Sequence, residues 1–270
     1  MPEKGIGISG AVPRKGEIVI IDSHVHLKHG GTGQEFTAEQ IVRYMDAVGM
    51  ARSVVFAMST TTQHSLEMAE EAVARFPDRL VPYAYALPHY ERPVLRELEQ
   101  AVSEKGFRGI KMHIGECSLA PYIVDPVFDL AGRLGVPCLI DFSGHVGLAE
   151  SLAKRFPNTK LIIAHFGRYL CTDIQLLTRV IELAEACPNV YIEISGVVLL
   201  AKITEAVQRI GAERVIWGTD GPNECPDPAA FDKSLAYFVA AEIAKVKAIH
   251  LDPADERMVL GGSIAELLGI

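Results

Sequence analysis

The sequence predicts an α/β protein of the (β/α)8 barrel class, in a single domain. Short apolar runs alternate with amphipathic stretches, about eight such pairs can be counted, and chemistry-bearing residues recur where the runs end. The runs fall at 18–25, 52–58, 80–86, 107–113, 136–142, 159–165, 189–195 and 213–219. Their length and apolar content suit buried parallel strands. Eight repeats in a chain of 270 residues match a closed barrel, which typically takes about 250 residues. The rival, a doubly wound open sheet, wants a glycine-rich phosphate loop after the first strand, and that place holds His24-Val25-His26.

The intervening stretches 37–48, 62–76, 91–105, 125–134, 147–156, 172–187 and 199–210 read as helices. Two more helices, near 228–249 and 253–268, follow the last strand. Thr37 with Gln40 makes a capping box, Phe-Pro at 76–77 and 156–157 ends two helices, and Gly106, Gly135 and Gly211 stop three others. Residues 1–16 form a Gly/Pro-containing tail without the apolar centre of a secretory signal, and residues 17–270 form the barrel domain.

Bulk composition narrows the function. With 26 Lys+Arg against 34 Asp+Glu, the formal charge of -8 argues against nucleic-acid or anionic-membrane binding. No apolar stretch reaches the roughly 18–20 residues of a membrane span. Cysteines 117, 138, 171, 187 and 225 form no CxxC pair, which fits a reducing cytoplasm better than a disulfide framework. Cys138 and Cys187 read as packing residues, and Cys117 and Cys225 as loop thiols.

Eight of the nine histidines fall at or just past the ends of apolar runs. His24 and His26 lie two apart on an extended segment, so both leave one face. Inside a barrel they would repel if charged and lack donors if neutral, and a divalent cation resolves both problems. Asp22 is expected on the same face, orienting an imidazole or filling a polar layer. Asp220 ends the last run, where a carboxylate can ligate an ion and accept a proton from water. His165 could ligate a second ion, but with one ion it reads as a general acid/base or electrophile, and Arg168 reads as a clamp for a substrate carboxylate or as an exposed surface arginine.

Lys111 and His113 share a face by strand parity, offering a cation and an imidazole to a substrate. Lys111 could equally pair with an interior acid, and carbamylation is the weakest of its readings. His29, His64, His89 and His145 fall in loops near the mouth, with solvated histidine the simpler reading for His29 and His64. Gly30-Gly31-Thr32-Gly33 lacks nucleotide-loop spacing and reads as a loop or lid. Ser195 lacks a nucleophile's turn, so covalent serine catalysis is unsupported.

Taken together, Asp-Ser-His-Val-His at 22–26, Gly-Ile-Lys-Met-His at 109–113, Leu-Ile-Ile-Ala-His-Phe-Gly at 161–167, Val-Ile-Trp-Gly-Thr-Asp at 215–220 and Leu-Gly-Gly-Ser-Ile-Ala-Glu-Leu-Leu-Gly at 260–269 resemble the amidohydrolase-related family. This is the amidohydrolase-superfamily branch that includes aminocarboxymuconate-semialdehyde decarboxylase. The resemblance implies a distorted TIM barrel with one divalent ion, usually Zn. It implies His24, His26 and Asp220 as ligands, Asp220 also as proton acceptor, and His165 as the catalytic histidine. One departure stands out: the family commonly has a ligating His after the fifth strand, where this chain has Asp141. Asp141 could ligate in its place and admit Mn or Fe, His145 could swing in from the loop, or the site could be metal-poor. Ser263 replaces the usual Asn and reads as structural.

The resulting expectation is a metal-dependent hydrolase of a small, carboxylate-bearing substrate. A non-oxidative decarboxylase on the same site is the alternative, and a catalytically silent ligand-binding barrel the second. A homo-oligomer stays open on the sequence.

Overall fold

A computed structural model describes residues 18–29, 33–222 and 231–270. The tail at 1–16, residues 30–32 of the expected loop, Cys225 and the start of the helix expected from 228 lie outside the described residues. The strands are β1 (Ile21–His29), β2 (Gln34–Glu35), β3 (Arg52–Ala57), β4 (Leu80–Tyr85), β5 (Gly109–His113), β6 (Cys138–Asp141), β7 (Leu161–Ile163), β8 (Val190–Glu193) and β9 (Val215–Ile216). They form one sheet in the order β2-β1-β3-β4-β5-β6-β7-β8-β9. All pairs are parallel except the β1–β2 hairpin. The sheet closes on itself where Ser23 N–H donates to Trp217 O at 3.3 Å, His26 N–H donates to Gly221 O at 2.6 Å, and Val25 bridges Gly221 in parallel. The eight long-range strands make the expected barrel, with β2 as an added hairpin arm.

The helices α1 (Ala38–Val48), α2 (Thr62–Arg75), α3 (Leu95–Lys105), α4 (Pro121–Leu134), α5 (Val146–Arg155), α6 (Ile174–Ala186), α7 (Ala201–Ile210) and α8 (Phe231–Ala248) follow the strands in turn. The capping box is formed: Gln40 N–H donates to Thr37 Oγ1 at 3.3 Å, and Thr37 N–H donates to Gln40 Oε1 at 2.9 Å. Phe76, Phe156, Gly106, Gly135 and Gly211 are the C-caps read from the sequence. Helix α4 starts four residues before the expected 125 because Pro121, preset in φ, opens it. Helix α3 starts late, at Leu95, after the His89–Arg92 bridge.

The expected closing helix at 253–268 is three pieces: α9 (Pro253–Arg257), a π-turn (Met258–Gly262) and α10 (Ser263–Leu268). Its irregular middle lies against the chain entering β1. A Cβ at Gly261 would come 2.1 Å from Val19 O, so only glycine lets the two backbones meet. Ser263 is buried, its Oγ 2.7 Å from Ala212 O and 2.9 Å from Met258 O, a structural role as expected.

Alternation along each strand splits the core in two. Val54, Phe56, Tyr83, Tyr85, Leu139 and Ile216 fill the barrel interior together with Ile264 and Leu267 of α10, which plugs its N-terminal end. Val55, Ile110, Ile140, Ile163, Val190 and Trp217 pack outward against the helices. Inward parity at the C-terminal strand ends therefore selects Lys111, Asp141 and Glu193, which are all buried. No described helix is long and apolar enough to cross a membrane.

Candidate active site

Strand β1 delivers His24 and His26 into the barrel, where His24 is fully buried and His26 nearly so. The β1–β3 register slips between Asp22 and Val25. Ile21 packs inside whereas Val25 and Leu27 pack outside, so the parity of the strand switches there. Asp22 consequently does not share the imidazoles' face, contrary to strict alternation. Its carboxylate instead accepts from Thr219 N–H at 2.9 Å, from Thr219 Oγ1 at 2.6 Å and from His24 N–H at 3.1 Å. Burial pushes Asp22 up to about 7, against the pull of these donors.

Asp220 follows β9 with a left-handed backbone, φ 58°. Its Oδ1 lies 3.1 Å from His24 Nε2 and 2.8 Å from His26 Nε2. These three ligand atoms lie within 4.8 Å of one another and could hold a metal ion. Burial alone would raise the Asp220 carboxyl, but the His165, His24 and His26 rings outweigh it and hold it well below the usual carboxylate range. His24 shows the converse: burial, then the Lys111 charge, push its ring down to about 4.

His165 sits just past β7 on two consecutive left-handed residues, His165 at φ 56° and Phe166 at φ 52°. Non-glycine residues in this region are strained, and such strain clusters at functional sites. The buried ring places Nε2 3.5 Å from Asp141 Oδ2 and 4.0 Å from Asp220 Oδ2. Asp141, ending β6, is also 3.1 Å from His113 Nε2 and accepts from Ser143 N–H at 2.6 Å. Burial raises its carboxyl, but the His113 bond and the His165 and Lys111 charges hold it well below its ordinary value. Asp141 belongs to neither of the two groups of mutually close ligand atoms, and it approaches His165 at Nε2, the nitrogen that also faces Asp220.

Lys111 is buried on the barrel floor, with Nζ 3.0 Å from His24 Nε2 and 5.2 Å from the Phe56 ring centre. Burial lowers its pKa, and Asp141, Asp220 and Glu193 pull it back up. His113 is half-buried beside Asp141. His145 and Arg168 are exposed at the mouth; His145 Nδ1 lies 2.9 Å from Phe142 O, away from the histidine cluster. His64 is in the first turn of α2 rather than a loop, 3.8 Å from Glu67, and His29 is the last residue of β1. His89 is exposed in the loop after β4.

The sequence reading missed Glu193. This fully buried carboxylate ends β8 and lies 3.4 Å from His24 Nδ1 and 3.9 Å from His165 Nδ1, making a second group of close ligand atoms. Burial raises it, but hydrogen bonding and charge from His24, then His165, bring it below its ordinary value. Glu193 has room because residue 218 is glycine: a Cβ there would stand 2.7 Å from Glu193 Oε1. The signal was present as an acid ending the apolar run Val190-Tyr191-Ile192 at inward parity. A surface hollow of about 490 Å³ beside Phe107, Arg108, Val136 and Leu268 lies at the opposite end of the barrel and includes none of these residues.

A search of curated proteins returns no match. Solved structures share the fold. The 5-carboxyvanillate decarboxylase of Sphingomonas paucimobilis superposes with TM-score 0.69 at 15% identity, covering 94% of this chain and 100% of that one. An amidohydrolase from Burkholderia multivorans with bound zinc gives TM-score 0.69 at 15% identity, covering 93% and 99%. A probable 2-pyrone-4,6-dicarboxylic acid hydrolase from Acinetobacter baumannii gives 0.67 at 17%, covering 93% and 99%. At these identities the likeness establishes the barrel and not the reaction. The amidohydrolase family model matches residues 21–270, nearly the whole described barrel. The chain belongs to the amidohydrolase family, whose superfamily consists of metal-dependent enzymes.

Proposed function

We propose that this enzyme hydrolyses a small, carboxylate-bearing substrate at one divalent ion held by His24, His26 and Asp220. The observation that carries the reading is the convergence of both imidazole Nε2 atoms, at 3.1 and 2.8 Å, on one oxygen of Asp220. Two nitrogens and a carboxylate oxygen form a donor set that zinc accepts. The interior charge argues the same way, since Asp141, Glu193 and Asp220 surround Lys111, the one buried lysine among the described residues. Uncompensated buried charge costs several kcal/mol or more, and a bound cation removes that cost. Zinc fits best, and the hard Asp141 carboxylate, if it joins the ligands, widens the choice to Mn or Fe.

When bound, the ion supplies Lewis-acid stabilisation of negative charge on a substrate oxygen and makes water more acidic. Asp220 takes the proton of the attacking water on Oδ2, the oxygen that faces His165. His165 Nε2, poised between Asp220 and Asp141, takes that proton from Asp220, stabilises the developing charge as the imidazolium and delivers the proton to the leaving group. Asp141, itself held by His113, faces the same Nε2 and orients that imidazole. Lys111 stays an uncarbamylated cation whose ammonium offsets Asp141, Asp220 and Glu193, and its Nζ, 3.0 Å from His24 Nε2, would give up that nitrogen to the ion. Arg168 at the mouth meets the substrate carboxylate, with His145 alongside.

Non-oxidative decarboxylation is a second reading, favoured by the same His165. An imidazole flanked by two carboxylates can equally deliver a proton to carbon as CO2 leaves. Zinc-loaded enzyme offered aromatic acids, lactones and amides, with CO2 release and hydrolysis followed in parallel, separates the readings. Turnover without CO2 supports hydrolysis; CO2 released in proportion to substrate consumed overturns it.

A further inference from the structure

We propose that Glu193 is a positioning residue that sets the tautomers of both His24 and His165, the first directly and the second through Ser195. The inference rests on the reading of His24 as a ligand and His165 as the reacting imidazole, and it names what keeps each ring in working form.

Glu193 accepts Ser195 N–H on Oε1 at 2.7 Å, and on Oε2 it accepts His165 N–H at 3.0 Å and Ser195 Oγ–H at 2.8 Å. His24 Nδ1 faces the same Oε2 at 3.4 Å. With donors converging on both oxygens, a carboxyl proton would have no acceptor, so Glu193 is an ionised acceptor only. His24 must therefore carry a proton on Nδ1, which leaves Nε2, 3.0 Å from Lys111 Nζ, as the acceptor nitrogen that an ion would take.

Ser195 relays the same constraint. Its hydroxyl has one proton, and that proton goes to Glu193. The oxygen also lies 2.8 Å from His165 Nδ1, so it must accept a hydrogen bond from Nδ1–H. The proton that His165 exchanges is thereby confined to Nε2, the nitrogen facing Asp141 and Asp220. Ser195 is fully buried and spends its proton on Glu193, which makes it a relay and not a nucleophile. Glu193 also grips the backbone N–H of His165, within the left-handed pair His165-Phe166. One carboxylate thus governs a ligand ring, the reacting ring and the strained turn that presents it.

The test uses the whole chain labelled with [15N]histidine, with two-bond 1H–15N spectra reporting which ring nitrogen carries the proton. His165 is assigned by loss of its signals in His165→Gln. Zinc affinity is measured by competition with a chromophoric chelator. Wild type should show His165 with Nδ1–H in both the metal-free and zinc-loaded protein. Ser195→Ala should keep zinc affinity but lose the single His165 tautomer, and Ser195→Thr should restore it. Glu193→Gln, which sets an amide among donors, should weaken zinc binding by about 10–100-fold and mix the His165 tautomers. An unchanged His165 tautomer in Ser195→Ala, or unchanged zinc affinity in folded Glu193→Gln, overturns the proposal. Should Glu193→Gln fail to fold, Ser195→Ala decides. Wild type that binds no zinc refutes the ligand reading, and the metal-free tautomer of His165 then decides the relay alone.

Discussion

Thr219 clasps Asp22 with both of its donors, backbone N–H to Oδ1 at 2.9 Å and hydroxyl to Oδ2 at 2.6 Å, although the two residues are 197 positions apart. The pair joins the first barrel strand to the segment after the last one, directly beneath His24 and Asp220. The acid of the DxHxH motif is thus a closure device, and it fixes the distance between the two halves of the candidate metal site.

Replacing Thr219 by Val keeps the shape but takes a donor from a buried carboxylate. The expected cost is about 1–3 kcal/mol of stability, seen as a lower denaturation midpoint at unchanged slope, while Thr219→Ser keeps most of it. An unchanged midpoint for Thr219→Val would show that the barrel seam does not depend on this clasp.

Gly261 and Gly262 should differ sharply in a pair of alanine variants. At 261 the new methyl meets the carbonyl of Val19 at 2.1 Å, whereas at 262 the nearest atom is the flexible Met258 sulfur at 2.7 Å. Overpacking against backbone costs roughly 1–3 kcal/mol or more, so Gly261→Ala should melt well below both Gly262→Ala and wild type. Equal melting temperatures would contradict the packing of the closing segment on the strand entry.

A pH effect is expected at a buried acid outside the proposed ligand set. Burial raises the Glu242 carboxyl above 4.5, with Lys245 opposing. The folded chain therefore holds this proton more tightly than the unfolded chain does. The stability so gained is fully present below pH 4.5 and is lost as pH rises through the folded value. Glu242→Gln should gain stability relative to wild type between mildly acidic and neutral pH. Parallel stability–pH curves for the two proteins would refute this.

His165→Gln separates chemistry from metal binding. The residue touches the reacting region yet is outside the proposed ligand set, so zinc affinity should stay near wild type. Turnover of a confirmed substrate should fall by about 10²–10⁴-fold. A variant that turns over normally would remove His165 from the mechanism.

Much of this was legible in sequence because strand ends and chemistry coincide in a barrel. His24, His26, His165 and Asp220 each close an apolar run, and their side chains form one cluster. The irregularity in β1 was not legible: alternation predicted Asp22 beside the imidazoles, and a register slip turned it toward Thr219. Glu193 was passed over because it ends a run without a histidine nearby in sequence, and its partners arrive from β1 and from the turn after β7. Lys111 was open between a substrate and an interior acid, and its place on the floor against His24 and among Asp141, Asp220 and Glu193 depends on three-dimensional charge balance that no single strand records.

The central claim is that His24, His26 and Asp220 hold one catalytic divalent ion. Its most direct test is metal content and zinc titration of protein prepared without added metal, compared with Asp220→Asn. The account predicts about one equivalent bound or regained by wild type, as for a site closed by protein ligands, and much weaker binding by Asp220→Asn. Wild type holding less than about half an equivalent, with none regained on zinc addition, would contradict it.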